Sequence, residues 1–175
     1  RGKFFARPMA MLNQEALENL VNEVVKAVRV MSKSNLGALI ILERETGIND
    51  FIETGIKIDG LVSTELLVNI FIPKSPLHDG AVIIRGDRVI AASCFLPLSE
   101  NPNLSKELGT RHRAGLGLTE QSDAIAIIVS EETSVISVAE EGRLTRYLDE
   151  NTLRELLSKR LQSKQQTMSL FNWRS

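Results

Sequence analysis

"PKSPLHDGAVIIRGDRVIAASCFLP", residues 73–97, decides the fold. Two runs, Ala81–Arg85 and Arg88–Leu96, are apolar at nearly every position, with Gly86-Asp87 between them. A two-residue Gly-Asp break between apolar runs is a hairpin signal. Strands that do not alternate polar with apolar are covered on both faces. The stretch therefore predicts the middle of a buried sheet. Directly before its first strand stands Leu77-His78-Asp79-Gly80-Ala81, which holds one of the chain's two histidines. Asp-Gly is an ordinary turn. An imidazole beside a carboxylate at the mouth of a buried hairpin is less ordinary.

The rest of the chain supplies cover for that sheet. Leu17, Leu20, Val21, Val24, Val25 and Val28 follow helical i, i+3, i+4 spacing, while Glu15, Glu18, Glu23, Lys26 and Arg29 fall largely elsewhere. Ser32 to Gly37 ends that helix, and "GALIILE" (37–43) reads as a strand. Residues 46–60 read as turn-rich. Ser63 caps a predicted short helix through Phe71, stopped at Pro73. Residues 98–109 read as a polar loop, and a helix with Thr110 as its candidate cap runs towards Glu120. "DAIAIIVSEE" (123–132) is a buried strand with a polar end. Thr133 to Leu148 predicts a strand, a Glu141-Gly142 turn and a shorter return. Thr152-Leu153-Arg154-Glu155 has capping-box form and predicts a helix to about Gln162. The sum is one α/β (α+β) domain, a central mixed β-sheet covered by helices. Its predicted parts are a lead-in segment, 1–11, a folded body, 12–162, and a polar, loosely ordered tail, 163–175.

Composition narrows the function. The chain has 175 residues, 43% hydrophobic and 25% charged, which suits one soluble domain. A net charge of -1 argues against a non-specific nucleic-acid surface. Cys94 is the sole cysteine, so neither an intrachain disulfide nor a cysteine zinc site is possible, and its strand setting predicts an inert, buried thiol. No apolar run has membrane-spanning length, and no signal-peptide pattern is present. The first residue is Arg1, so a fragment of a longer chain is expected.

Three segments could carry chemistry. In "GTRHRAGLG" (109–117), Arg111 and Arg113 flank His112 directly after Thr110. Basic residues oppose the dipole at a helix N-terminus, so their clustering there suits an anionic partner. Free N–H groups of the first turn and planar guanidinium donors suit phosphate. A solvated basic helix start is the plain alternative. His78-Asp79 reads as a turn with a satisfied histidine, as part of a divalent-cation site, or as an acid–base pair. Ser130-Glu131-Glu132-Thr133 reads as a polar turn, or as a ligand-binding strand end.

Together these segments resemble a known family. "HDGA" (78–81) and "GTRHRAGLG" (109–117), in that order, are similar to the two signature motifs of bacterial diadenylate cyclase domains. "AASCFLPLSENPNLSKELG" between them and "AIAIIVSEETSVISVAEEG" after them are similar as well. The resemblance runs from about Met9 to Leu157 and is strongest to the membrane-anchored type. It implies condensation of two ATP into cyclic di-AMP with release of two pyrophosphates, in a face-to-face homodimer. It implies that Asp79 acts at the ribose 3′-hydroxyl and that Gly80 admits the nucleotide. Thr110, Arg111, His112 and Arg113 would hold the triphosphate, with Ser130 beside them. His78, Asp79 and Glu132 would bind a divalent metal, Mn²⁺ or Mg²⁺, with Co²⁺ a further candidate. Phe95 and Leu96 would contact adenine; Phe95 stands where this type often has Tyr, keeping the stacking face without the hydroxyl. The resemblance implies no nucleic-acid partner. It implies a place at the cytoplasmic face of the membrane for the full-length protein, and a membrane-bound regulatory protein as a possible partner. Two rivals stay open: a non-catalytic adenine-nucleotide sensor, and another nucleotidyltransferase.

Overall fold

The computed structural model describes residues 8–162. After a 3₁₀ turn at Met9–Met11 come α1 (Gln14–Lys33), β1 (Ala38–Leu42), α2 (Asn49–Ile52), β2 (Ile56–Leu61) and α3 (Thr64–Phe71). Then follow β3 (Ala81–Arg85), β4 (Arg88–Cys94), α4 (Thr110–Thr119), β5 (Ile125–Val129), β6 (Ile136–Glu140), β7 (Arg143–Leu148) and α5 (Glu150–Arg160). The expected tail at 163–175 lies outside the described residues, as does the lead-in segment up to residue 7.

All seven strands form one sheet in the order β2-β4-β3-β1-β5-β6-β7. β1 runs parallel to β3 and antiparallel to β5. The sheet is mixed, as the sequence predicts. β1 and β5 are apolar throughout, and β3 is apolar up to Arg85, because both faces are covered. One face packs Ile40, Leu42, Val82, Ile84, Ile125 and Ile127 against the apolar stripe of α1, with α3 and α5 beside it. The other packs Leu39, Ile41, Ile83, Ala126 and Ile128 against α4 and the α2 region.

Four sequence expectations need correction. Residues 56–61 form an edge strand and not only turns: β2 pairs antiparallel with β4. The N-cap of α4 is Gly109, and Thr110 is its first helical residue. α5 starts earlier than Thr152, because Asp149 is its cap and accepts from the Thr152 backbone N–H at 2.8 Å. The Thr152 hydroxyl in turn accepts from the Asp149 backbone N–H, closing a capping box one turn upstream of the expected one. The return strand β7 is no shorter than β6. The Ser63 cap is as expected, its hydroxyl accepting from the Leu66 N–H at 3.1 Å.

Candidate active site

The register brings distant segments to one end of the sheet. Ala38 at the start of β1 pairs with Val129 at the end of β5, and Ala81 at the start of β3 pairs with Cys94 at the end of β4. Gly37, Gly80, Phe95 and Ser130 therefore leave the sheet at the same end. The N-terminus of α4 opens there too. A cavity of roughly 460 Å³ is lined by Asp79, Gly80, Glu107, Gly109, Thr110, Arg111, His112, Val129, Ser130, Glu131 and Glu132. That volume suits a small-molecule ligand. A larger cavity, roughly 750 Å³, lies by the Glu43–Arg85 ion pair and contains neither motif. Glu43 and Arg85 belong to the opposite ends of β1 and β3, so we assign the chemistry to the smaller cavity.

The backbone around Asp79 is held tightly. Gly80 has φ +83°, and a Cβ there would stand 2.8 Å from the Cys94 carbonyl oxygen. Only glycine fits without displacing β4. Opposite it, a register shift in the β3–β4 pairing accompanies Ser93 at φ 54°. This irregularity turns the end of β4, so that Phe95 emerges 71% exposed. The Thr54 hydroxyl fixes that exit, accepting from the Phe95 N–H at 2.8 Å. Cys94 is buried, and burial pushes its thiol up to about 11, as an inert core residue requires.

His78 Nδ1 lies 2.7 Å from the Ser75 carbonyl oxygen. A carbonyl only accepts, so Nδ1 carries the proton. Nε2 then faces Asp79 Oδ1 at 3.4 Å. In the singly protonated ring this sets two lone-pair donors side by side, an arrangement a cation relieves. The Asp79 side chain is 86% exposed at the cavity mouth. Among the described residues, no three His, Cys, Asp or Glu side chains stand close enough to hold a metal alone. The hard oxygen donors and one oriented imidazole nevertheless fit Mn²⁺ or Mg²⁺ if substrate phosphate completes the shell.

The opposite wall is built from α4. Gly109 supplies no side-chain cap, so the first-turn N–H groups at the cavity are left for a ligand. Arg111 lies flat against Gly37: a Cβ on Gly37 would stand 2.3 Å from its Nη1. The same Nη1 donates to Glu131 Oε2 at 3.2 Å. His112 is buried, and neither ring nitrogen has a hydrogen-bond partner among the described residues. Burial, then the charges of Arg146 and Arg111, hold its pKa below the ordinary 6.5.

The cavity thus unites Asp79, Gly80, Thr110, Arg111, His112, Ser130 and Glu132. His78 sits beside Asp79 but outside the lining. Arg113, Phe95 and Leu96 also lie outside it. Arg113 is two residues from Arg111 on the same helix, and residues so spaced do not face the same way. Gly37 and Glu107 carry no sequence signal of their own; each matters through a contact with a distant segment.

Residues 25–144 match the family model DAC, described as "DisA bacterial checkpoint controller nucleotide-binding". The chain belongs to the DAC family. Both motifs and the whole cavity lining lie inside the matched span. The DAC chain is 49% identical to the cyclic di-AMP synthase CdaA of Bacillus subtilis over 173 residues, covering 99% of this chain and 63% of that protein. It is 48% identical to a diadenylate cyclase of Listeria monocytogenes over 161 residues, covering 92% of this chain and 59% of that protein. The crystal structure of a DacA double mutant from Staphylococcus aureus superposes with a TM-score of 0.80 at 52% identity, covering 82% of this chain and 96% of that one. The chain spans about three fifths of the length of the two curated relatives it matches.

Proposed function

We propose that this DAC domain is a diadenylate cyclase, condensing two ATP into 3′,5′-linked cyclic di-AMP and two pyrophosphates. One observation carries the reading: the sheet end gathers an exposed carboxylate and an uncapped, arginine-bearing helix N-terminus into one cavity. The names of the two relatives support it.

In this reading the α4 N–H groups, Thr110, Arg111 and Ser130 bind the triphosphate, and His112 closes the pocket floor behind them. Phe95 offers its exposed ring to adenine, with Leu96 beside it. Asp79 accepts or orients the ribose 3′-hydroxyl proton, and Gly80 keeps the backbone low enough for the sugar to approach. His78, Asp79 and Glu132 would hold a divalent metal together with phosphate oxygens. When bound, such an ion supplies charge neutralisation and a more acidic hydroxyl. Catalysis by the chain's own groups is mainly positioning and electrostatic stabilisation.

Cyclic di-AMP contains two identical linkages, and each cavity holds one nucleotide. Two domains related by a two-fold axis satisfy both facts. The mouth exposure of Asp79 and Phe95 supports that arrangement, since both would face the partner. Among the described residues no helix is long and apolar enough to cross a membrane. We assign membrane attachment at the cytoplasmic face, and any contact with a membrane-bound regulator, to the full-length protein.

Incubation with ATP and Mn²⁺ followed by chromatography tests the reading. Cyclic di-AMP is the expected product, with specific activity rising with enzyme concentration where dimers are only partly formed. Bound but unchanged ATP would identify a sensor. AMP transferred to another acceptor would identify a different nucleotidyltransferase.

A further inference from the structure

The cavity wall contains four carboxylates, Asp79, Glu107, Glu131 and Glu132, against a single guanidinium, Arg111. In the reading above a divalent cation would answer Asp79 and Glu132, which leaves Glu131 and Glu107 to be offset by the chain's own groups before a triphosphate can enter. Arg111 offsets Glu131 directly. Glu107 is offset from outside the lining: its Oε2 lies 3.5 Å from Nη1 of Arg146 on β7.

The placement of Arg146 follows from an irregularity in the edge strand. Simple alternation would put Leu144, Arg146 and Leu148 on one face. Leu144 packs with the α4-side cluster, but Leu148 packs with the α1–α5 cluster. The switch coincides with Tyr147 at φ 62° and a register shift in the β6–β7 pairing. The β7 ladder is thus regular from Arg143 through Thr145 and shifts before Leu148; Arg146 lies at the break, its guanidinium reaching Glu107 ahead of α4. There the side chain is largely buried, its Nε has no hydrogen-bond partner among the described residues, and the Tyr147 ring stacks 5.0 Å from the guanidinium carbon. Its charge also reaches the buried His112 on the cavity floor.

We propose that Arg146 is a positioning residue of the nucleotide site, holding the Glu107 carboxylate at the cavity wall and cancelling its charge so that a triphosphate can enter. The proposal rests on the reading of this cavity as a triphosphate site. An ion pair this long and half in solvent contributes little to folding, so its effect belongs in ligand binding.

The test is a charge cycle read by calorimetric binding of ATP and adenosine, with melting temperature as a fold control. Arg146→Met should weaken ATP by about fivefold or more, because an uncompensated carboxylate then faces the phosphates. Adenosine affinity should not change. Glu107→Gln in the Arg146→Met background should bring ATP affinity back to within about twofold of wild type, the coupling expected of a pair acting as a unit. Arg146→Lys keeps the charge and should stay near wild type, which guards against a variant that merely misfolds. Wild-type ATP affinity in Arg146→Met overturns the proposal. So does an undiminished loss in the double variant, which would make Arg146 a direct ligand or a purely structural residue. A wild-type protein that does not bind ATP removes the triphosphate site and this proposal with it. One that binds ATP without forming cyclic product removes only the cyclase reading, and the binding cycle still decides the role of Arg146.

Discussion

Gly37→Ala separates the needs of the site from those of the fold. Gly37 precedes β1, and its φ lies outside the left-handed region, so alanine is compatible with the backbone. The new Cβ would fall 2.3 Å from Arg111 Nη1 and 2.5 Å from Cζ. Comfortable carbon contacts begin at about 3.5 Å, so the guanidinium must retreat by about 1 Å. It is the far end of a flexible side chain, so the fold yields easily. Replacing glycine at a compatible position even stabilises by about 0.4–1 kcal/mol through the unfolded chain. The site does not yield so easily. The retreat pulls Nη1 off Glu131 and moves the planar donors away from the phosphates. A charged hydrogen bond contributes about 1.5–3 kcal/mol, so its full loss corresponds to about 10- to 150-fold in ATP affinity. A displaced guanidinium keeps part of that, and a loss of about tenfold is expected. Calorimetry with ATP and with adenosine, beside a thermal melt, reads all three quantities. ATP should weaken, adenosine should hold, and the melting temperature should stay level or rise. Unchanged ATP affinity, or equal losses for ATP and adenosine, would refute the assignment of Arg111 to the phosphates.

Asp79→Asn should abolish cyclic di-AMP formation in a chromatographic assay while ATP binding by calorimetry is mostly retained, because the phosphates are held by the other wall. Arg111→Ala should cost about 1.5–3 kcal/mol of ATP binding, whereas Arg113→Ala, outside the cavity lining, should cost clearly less; equal losses would place both in the pocket. His112 is held below its ordinary 6.5 first by burial and then by Arg146 and Arg111, so the unfolded chain binds the extra proton first. Its contribution to stability is thus present above about pH 6.5 and is lost as pH falls from there towards the depressed native value. Denaturant midpoints of wild type and His112→Gln between pH 7.5 and 5 should converge as pH falls, and parallel curves would show that His112 does not titrate across folding.

The strongest periodicities in the sequence correspond to the best-formed elements. α1 is legible because its valines and leucines recur at helical spacing over about three turns, from Leu17 to Val28, and β3–β4 because two apolar runs bracket Gly86-Asp87. β2 is not legible: Ile56 to Leu61 is an edge strand with Asp59 and Gly60 inside it, and such residues signal turns. The true cap of α5 escapes a search for Ser or Thr followed by Glu, because an aspartate accepts and a threonine hydroxyl answers. The motif residues of the site are legible as types, His78-Asp79 and Thr110 to Arg113. The distinction between Arg111 and Arg113 is not, since it depends on which side of α4 meets the sheet. Gly37, Glu107 and Arg146 are invisible for the same reason. Each acts on a residue far away in the chain, and only the strand order brings them together.

That strand order also bears on the kinetics. Asp79 leads into β3 and the phosphate wall leans on β5, and β1 is hydrogen-bonded to both strands. Among the described residues no linker or interdomain cleft separates these groups, so they form no jaw that could shut on the nucleotide. On the proposed two-fold arrangement, the closing motion that excludes water would be the approach of a second loaded molecule. Such a cyclase would be throttled by encounter. Its turnover would respond to solvent viscosity and to anything that keeps two open faces apart, and a protein that merely occludes one mouth would silence it without touching a reacting atom.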